Sequence, residues 1–347
     1  MKKFSAIFLT CLFLVIVAFS LTACAKNEPI KLDDKQATFY NNWLSKIKDD
    51  TPITKIALLG SHDSGTSELH SIYKAMTITQ NYTIGEQLSF GCRYFDIRVN
   101  KKKNGELNIF HGPDTSGCSF ESIAKDIVAF MQTNKSEFLI LDFQHFKNDS
   151  QEDVIEALKD TGLLDLAIQN NTPYTDLDFI ASLTLKDVRG KVVITWGNNS
   201  ANSSDYPYLF RRNNDSCTIE NAVLDSLYDE VENKKSTEEF IKEALPKYME
   251  HILSNQNRIT ILQGQLTLPS LLGNLEKLEK KHNQNMSNFI RNMESNASYL
   301  NAINIIMRDF VGSDLEKTNC VLHLNISKGI VKSEMTTEFE AFTKAQL

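Results

Sequence analysis

Ile56-Ala57-Leu58-Leu59-Gly60-Ser61-His62-Asp63-Ser64-Gly65 sets four apolar residues against a cluster of small, polar and titratable ones. Four apolar residues make a short buried strand, and the glycines and serines that follow end it. The same grammar recurs. Tyr94-Phe95-Asp96-Ile97-Arg98-Val99 and Leu107-Asn108-Ile109-Phe110 come next, followed by apolar runs at 138–143, 192–195, 258–262 and 303–307. Between them lie helical patterns, as at 123–131 and 154–158. Strands alternating with helices imply a parallel sheet, and about seven such units imply a closed α/β barrel of the TIM type. An open doubly wound sheet is the alternative, but no G-x-G-x-x-G or P-loop follows any strand. The predicted fold is thus a single-domain TIM-like (β/α) barrel, with distortion or incomplete closure left open.

The chain begins Met1-Lys2-Lys3, continues through an apolar run over 7–21 and reaches Leu21-Thr22-Ala23-Cys24. A basic start, a short apolar stretch and small residues before a cysteine read as a signal peptide, because a spanning helix needs roughly 20 apolar residues. Cys24 sits as the lipidated first residue of an exported lipoprotein would, so 1–23 is assigned to the signal and the expected location is the outer face of the cell membrane. Residues 24–50 read as a linker and a capping helix, with Phe39, Trp43 and Ile47 spaced four apart on one face. Residues 51–347 form the predicted catalytic barrel. The formal charge of −7 and the absence of a basic stripe argue against nucleic acid as a partner. Nothing calls for an obligate protein partner. Beyond Cys24 the mature cysteines, Cys92, Cys118, Cys217 and Cys320, are scattered without metal-ligand spacing and read as free thiols, and no metal or cofactor is expected. The Asn- and Ser-rich stretch 198–214 reads as a long exposed loop, and 273–298 as a helix with a polar face toward solvent.

In such a barrel the chemistry sits just past the carboxyl ends of the strands. Four predicted ends are rich in it: His62 and Asp63, Asp96 and Arg98, His111, and Asp309 after Arg308. Alone, each has an ordinary explanation, such as a surface imidazole, a turn or a helix cap. Together, two histidines, their carboxylates and an arginine supply the parts for acid-base attack on a phosphodiester.

Four motifs in order, Ser61-His62-Asp63-Ser64-Gly65-Thr66, Thr83-Ile84-Gly85-Glu86-Gln87-Leu88, Gly91-Cys92-Arg93-Tyr94-Phe95-Asp96-Ile97-Arg98 and Phe110-His111-Gly112-Pro113, resemble the X domain of bacterial phosphatidylinositol-specific phospholipases C. The resemblance is strong over roughly a quarter of the chain, from Ile56 to Phe146, and returns at Ile305-Ile306-Met307-Arg308-Asp309-Phe310. It implies a phosphatidylinositol diacylglycerol-lyase that acts on a membrane inositol phospholipid and releases diacylglycerol and inositol 1,2-cyclic phosphate. His62 would be the base, oriented by Asp309. His111, beside Asp63, would be the acid, Arg98 would bind the phosphate oxygens, and Asp96 would hold Arg98 or a histidine. Eukaryotic relatives bind calcium here through acidic and amide side chains, and Arg98 stands where one of those ligands would be, which implies a metal-independent enzyme. Where the family carries a lysine and an arginine for the inositol ring, this chain has Gln144-His145 and Trp196-Gly197, so the headgroup is open. A metal-dependent glycerophosphodiesterase would want a His-Arg pair after the first strand and a Glu-x-Asp pair after the second. A purely binding lipoprotein would have no need of a paired acid and base.

Overall fold

The computed structural model describes residues 30–69, 73–112, 114–197, 206–213, 221–227, 236–268 and 273–344. Its centre is a sheet of ten strands: β1 (Leu58–Ser61), β2 (Tyr94–Lys101), β3 (Leu107–His111), β4 (Asp114–Ser119), β5 (Leu139–Lys147), β6 (Val192–Trp196), β7 (Leu209–Arg211), β8 (Leu224–Ser226), β9 (Ile259–Gln263) and β10 (Ile305–Arg308). Eight of them pair in parallel in the order β7-β6-β5-β2-β1-β10-β9-β8. The two end strands meet through a parallel bridge, Arg212 to Leu224. Two backbone hydrogen bonds flank it, Val223 N to Arg211 O at 2.8 Å and Asn213 N to Leu224 O at 2.9 Å. The barrel is therefore nearly closed, with a thin seam between β7 and β8.

Eight helices matter for the argument: α1 (Asp34–Asn41), α2 (Ile84–Ser89), α3 (Phe120–Thr133), α4 (Gln151–Asp160), α5 (Leu245–Ser254), α6 (Leu275–Asn292), α7 (Glu316–Ser327) and α8 (Thr336–Thr343). None of the helices among the described residues is long and apolar enough to cross a membrane. Strand parity divides the core in two. Leu58, Tyr94, Ile140, Val193, Phe210, Ile261, Ile305 and Met307 pack together in one cluster within the barrel. Their sequence neighbours Leu59, Phe95, Leu139, Leu141, Ile194, Leu262 and Ile306 pack against the helices in another. Side chains on a strand alternate between faces, so both sides of a barrel strand are apolar and the run is continuous. Gly60 belongs to the inner set. A Cβ there would lie 2.8 Å from the Tyr94 ring and 2.9 Å from Ile305, so only glycine fits.

Arg93, at the foot of β2, is fully buried and ties three elements together. Its guanidinium donates to Glu137 at 2.9 Å, to the Leu88 and Cys92 carbonyls at 2.9 and 2.8 Å, and to the Tyr40 and Asn41 carbonyls at 2.7 and 3.1 Å. α1 thereby caps the amino-terminal end of the barrel.

Several expectations need correction. The predicted capping helix stops at Asn41, because Asn42 leaves the helical region, and Trp43–Lys46 is a separate 3₁₀ turn. Phe39, Trp43 and Ile47 are nonetheless all buried. β3 is no barrel strand: it runs antiparallel to β2 and forms a hairpin with β4. The stretch read as an exposed loop contains β7, with Leu209, Phe210 and Arg212 buried, because a three-residue strand carries too little periodicity to register. The polar face of α6 is partly internal, with Glu279 and His282 buried. Cys92, Cys118 and Cys320 are free thiols, whereas Cys24 and Cys217 lie outside the described residues.

Candidate active site

His62 continues the inward parity of Leu58 and Gly60 one residue beyond β1, and Asp309 does the same beyond β10, beside it. The parallel register that pairs Ser61 with Arg308 makes the two side chains neighbours. His62 Nδ1 lies 2.8 Å from Asp309 Oδ1. Its Nε2 lies 3.4 Å from Asp63 Oδ2. His111 comes from the tip of the β3–β4 hairpin, with Nδ1 at 2.6 Å from the Thr77 carbonyl and Nε2 at 3.4 Å from the same Asp63 Oδ2. Asp96 and Arg98 share the inward parity of Tyr94 on β2. Arg98 Nε sits 2.5 Å from Asp63 Oδ1, and its Nη2 lies 3.3 Å from Asp96 Oδ2. The structure thus brings the six predicted residues together around Asp63: His62, Asp63, Arg98 and His111 line one cleft, and the buried Asp96 and Asp309 stand behind them.

A carbonyl can only accept, so Nδ1 of His111 carries a proton, and a carboxylate at Nδ1 of His62 assigns the proton there as well. Both Nε2 atoms are then left for chemistry. Electrostatics separate the groups further. Burial pulls the His62 imidazole down, but Asp63 and Asp309 outweigh it and raise it to about 9. Burial raises Asp63, yet Arg98, His111 and His62 together hold it well below the usual carboxylate range. Asp309 is raised by burial, a shift that His62 partly offsets. The two carboxylates are thus pushed in opposite directions, Asp63 down and Asp309 up.

His62, Asp63 and Asp96 each bring a donor atom within 4.8 Å of the others, close enough to invite a cation. The Arg98 guanidinium already engages both carboxylates, so the positive charge at that place is covalently part of the chain.

Backbone strain marks the same loops. Asp63 at φ 43° and Phe310 at φ 52° are non-glycine residues in the left-handed region. One segment holds both. Thr79 Oγ1 donates to the His62 and Asp63 carbonyls, each at 3.1 Å, and its own carbonyl accepts from Phe310 N at 2.7 Å. Gln80 donates to the His62 carbonyl at 2.9 Å and accepts from Val311 N at 2.9 Å. Gln87 donates to the Ser64 carbonyl at 2.8 Å, and α2, which carries it, starts on a Thr83–Glu86 capping box. The Thr83-to-Leu88 motif is therefore scaffold, not chemistry. Thr77 and Thr79 went unnoticed in the sequence because single hydrogen bonds to a loop backbone have no spacing signature.

Gln144, His145, Gln263 and Met307 complete the cleft lining. The β2–β5 pairing slips between Ile97 and Arg98, which pair with Phe143 and His145, so Gln144 is an extra residue in β5. A bulge re-aims the side chains around it, which is how both Gln144 and His145 reach the cleft. Trp196 is buried. Gly197 is pressed so close to the Gln144 carbonyl that a Cβ would lie at 2.3 Å.

Residues 59–197 match the model of the phosphatidylinositol-specific phospholipase C X domain. Under half of the chain is thus similar to that X domain. It is 28% identical over 208 residues to the 1-phosphatidylinositol phosphodiesterase of Listeria monocytogenes, covering 56% of this chain and 61% of that protein. To the protein of the same name from Staphylococcus aureus strain Newman it is 27% identical over 157 residues, covering 44% of this chain and 49% of the other. The matches thus span about half to three-fifths of these relatives. Among solved structures, the phosphatidylinositol-specific phospholipase C of Listeria monocytogenes superposes with a TM-score of 0.63 at 22% identity, over 82% of this chain and 98% of that one. That likeness establishes the barrel fold. The matched X domain carries His62, Asp63, Asp96, Arg98 and His111, while Asp309 lies beyond it.

Proposed function

We propose that this protein is a phosphatidylinositol diacylglycerol-lyase of the phosphatidylinositol-specific phospholipase C family. The observation that carries the reading is the pair of imidazole Nε2 atoms set at 3.4 Å on either side of one Asp63 oxygen, with the Arg98 guanidinium on the other oxygen. His62 takes the proton of the inositol 2-hydroxyl, whose oxygen forms the new bond to phosphorus. The bond from phosphorus to the diacylglycerol oxygen breaks, and that oxygen takes a proton from His111. Arg98 faces the non-bridging oxygens, and Asp309 keeps His62 in the tautomer a base requires. The curated relatives named 1-phosphatidylinositol phosphodiesterase support the substrate class.

Phosphorus NMR of the products from phosphatidylinositol tests this directly. The cyclic 1,2-phosphate is expected first, in the presence of excess chelator. Direct release of the acyclic phosphate would make water the nucleophile, and loss of activity on chelation, restored by calcium, would overturn the role given to Arg98. Gln144 and Gln263 favour a headgroup read through neutral hydrogen bonds. Glycosylated inositol lipids and other phosphodiesters belong in the same assay. We further propose that the enzyme is exported and held on the outer face of the membrane through a lipid on Cys24, supported by Leu21-Thr22-Ala23-Cys24 after the apolar run.

A further inference from the structure

Asp309 is gripped twice. Its carboxylate meets His62, and its backbone carbonyl accepts from Lys317 Nζ at 2.6 Å. Lys317, near the start of α7, is only 2% exposed and also donates to Glu279 Oε1 of α6 at 3.2 Å. Glu279, equally buried, accepts from Arg308 Nη2 at 3.3 Å, and the same Nη2 donates to Asn283 at 2.8 Å. Three charges are therefore buried behind the strand end that carries Asp309. Burying ions costs several kcal/mol each unless they are paired, and apolar replacements of such networks are often neutral or stabilising. Packing alone does not require the network.

Its contacts suggest what it does. The carbonyl that Lys317 holds belongs to the peptide between Asp309 and Phe310, the residue at φ 52°, and the ammonium lies 5.8 Å from the Phe310 ring centre. We propose that Lys317, itself held by Glu279, is a positioning residue for the catalytic base: it fixes the Asp309–Phe310 peptide and, by its charge, keeps the Asp309 carboxylate ionised beside His62. This rests on His62 being the base of the proposed reaction. The two network charges act on Asp309 in opposite directions, Lys317 lowering its proton affinity and Glu279 raising it. The other charged or titratable groups near the pair are Asp63, Asp96, Arg98, His111, His145, His282 and Arg308. None of them bonds to the Asp309 backbone among the described residues.

The test is the NMR titration of the His62 imidazole in the free protein, run on wild type, Lys317→Met, Glu279→Gln and the double variant, with kcat and KM measured in parallel. Removing the positive charge favours proton uptake by the Asp309–His62 pair, so Lys317→Met moves the titration to higher pH. kcat/KM at neutral pH then falls about tenfold for each pH unit moved. Glu279→Gln moves the titration to lower pH, and the double variant returns it toward wild type. Two folded single variants that leave the titration in place, or shift it the same way, overturn the proposal, because a purely structural pair has no reason to produce opposite signs. Should Lys317→Met fail to fold, an unmoved titration in Glu279→Gln overturns it as well. The titration needs no substrate. Absence of turnover on every inositol lipid would therefore sink the proposed activity, while the His62 titration would still decide whether Lys317 tunes the pair.

Discussion

Asp63 shows how much one residue can be asked to hold. Its Oδ2 faces both imidazoles and its Oδ1 faces Arg98, so it aligns the proposed acid, base and phosphate ligand at once. Two predictions belong at this scale. His62→Ala and His111→Ala should each lower turnover by about 10²–10⁴-fold, the usual contribution of one positioned proton-transfer group. A substrate with a better leaving group should rescue His111→Ala far more than His62→Ala, since only the first lacks its proton donor; equal rescue would show the roles are misassigned. The second concerns pH. Asp63 and Asp309 raise His62 to about 9, and a base must be neutral, so the competent form of the free enzyme increases as pH rises toward that value. The rising limb of kcat/KM should lie near pH 9, the value to which His62 is raised, and Asp309→Asn, which removes a carboxylate that raises it, should move the limb to lower pH. A limb that stays put would mean another group governs it.

At the scale of elements, parity explains what could be read and what could not. Asp96 and Arg98 were legible as residues within and at the end of one predicted strand, and their alternation with Tyr94 puts them on one inward face in the structure. The positions of His62 and Asp309 were legible because each lies just past the carboxyl end of a predicted barrel strand. His111 does line the cleft, but it is delivered there by an antiparallel hairpin and not by the barrel strand expected of it. His145 could not be decided, because the bulge at Gln144 breaks the alternation there. Arg93 was legible only as part of a motif. Its fully buried pairing with Glu137 joins β2 to the turn before β5, and its carbonyl contacts reach α1 and α2. Glu137→Ala should cost about 3–5 kcal/mol, because it leaves a buried guanidinium without its counter-charge. Replacing both partners by Arg93→Met and Glu137→Leu should cost clearly less. Denaturant unfolding measures both, and a single variant within about 1 kcal/mol of wild type would show that the carbonyls alone satisfy Arg93.

For the whole molecule, export and anchoring are the remaining test. If Cys24 carries the lipid, Cys24→Ala should move the protein from the membrane fraction to the medium, while wild type stays with membranes until detergent is added. Wild type found free in the medium would refute the anchor. The barrel and the gathering of titratable residues at strand ends follow from the alternation of strand and helix patterns and from which residues end each run, and these are local properties that a linear sequence carries. The hairpin that delivers His111, the Gln144 bulge, the thin β7–β8 seam, the Thr79–Gln80 latch and the buried Lys317–Glu279 pair were decided only in three dimensions. Each of these depends on residues distant in sequence meeting in the fold, and neither a hydrogen bond to a backbone carbonyl nor a buried ion pair imposes any periodic pattern on the segments that supply it.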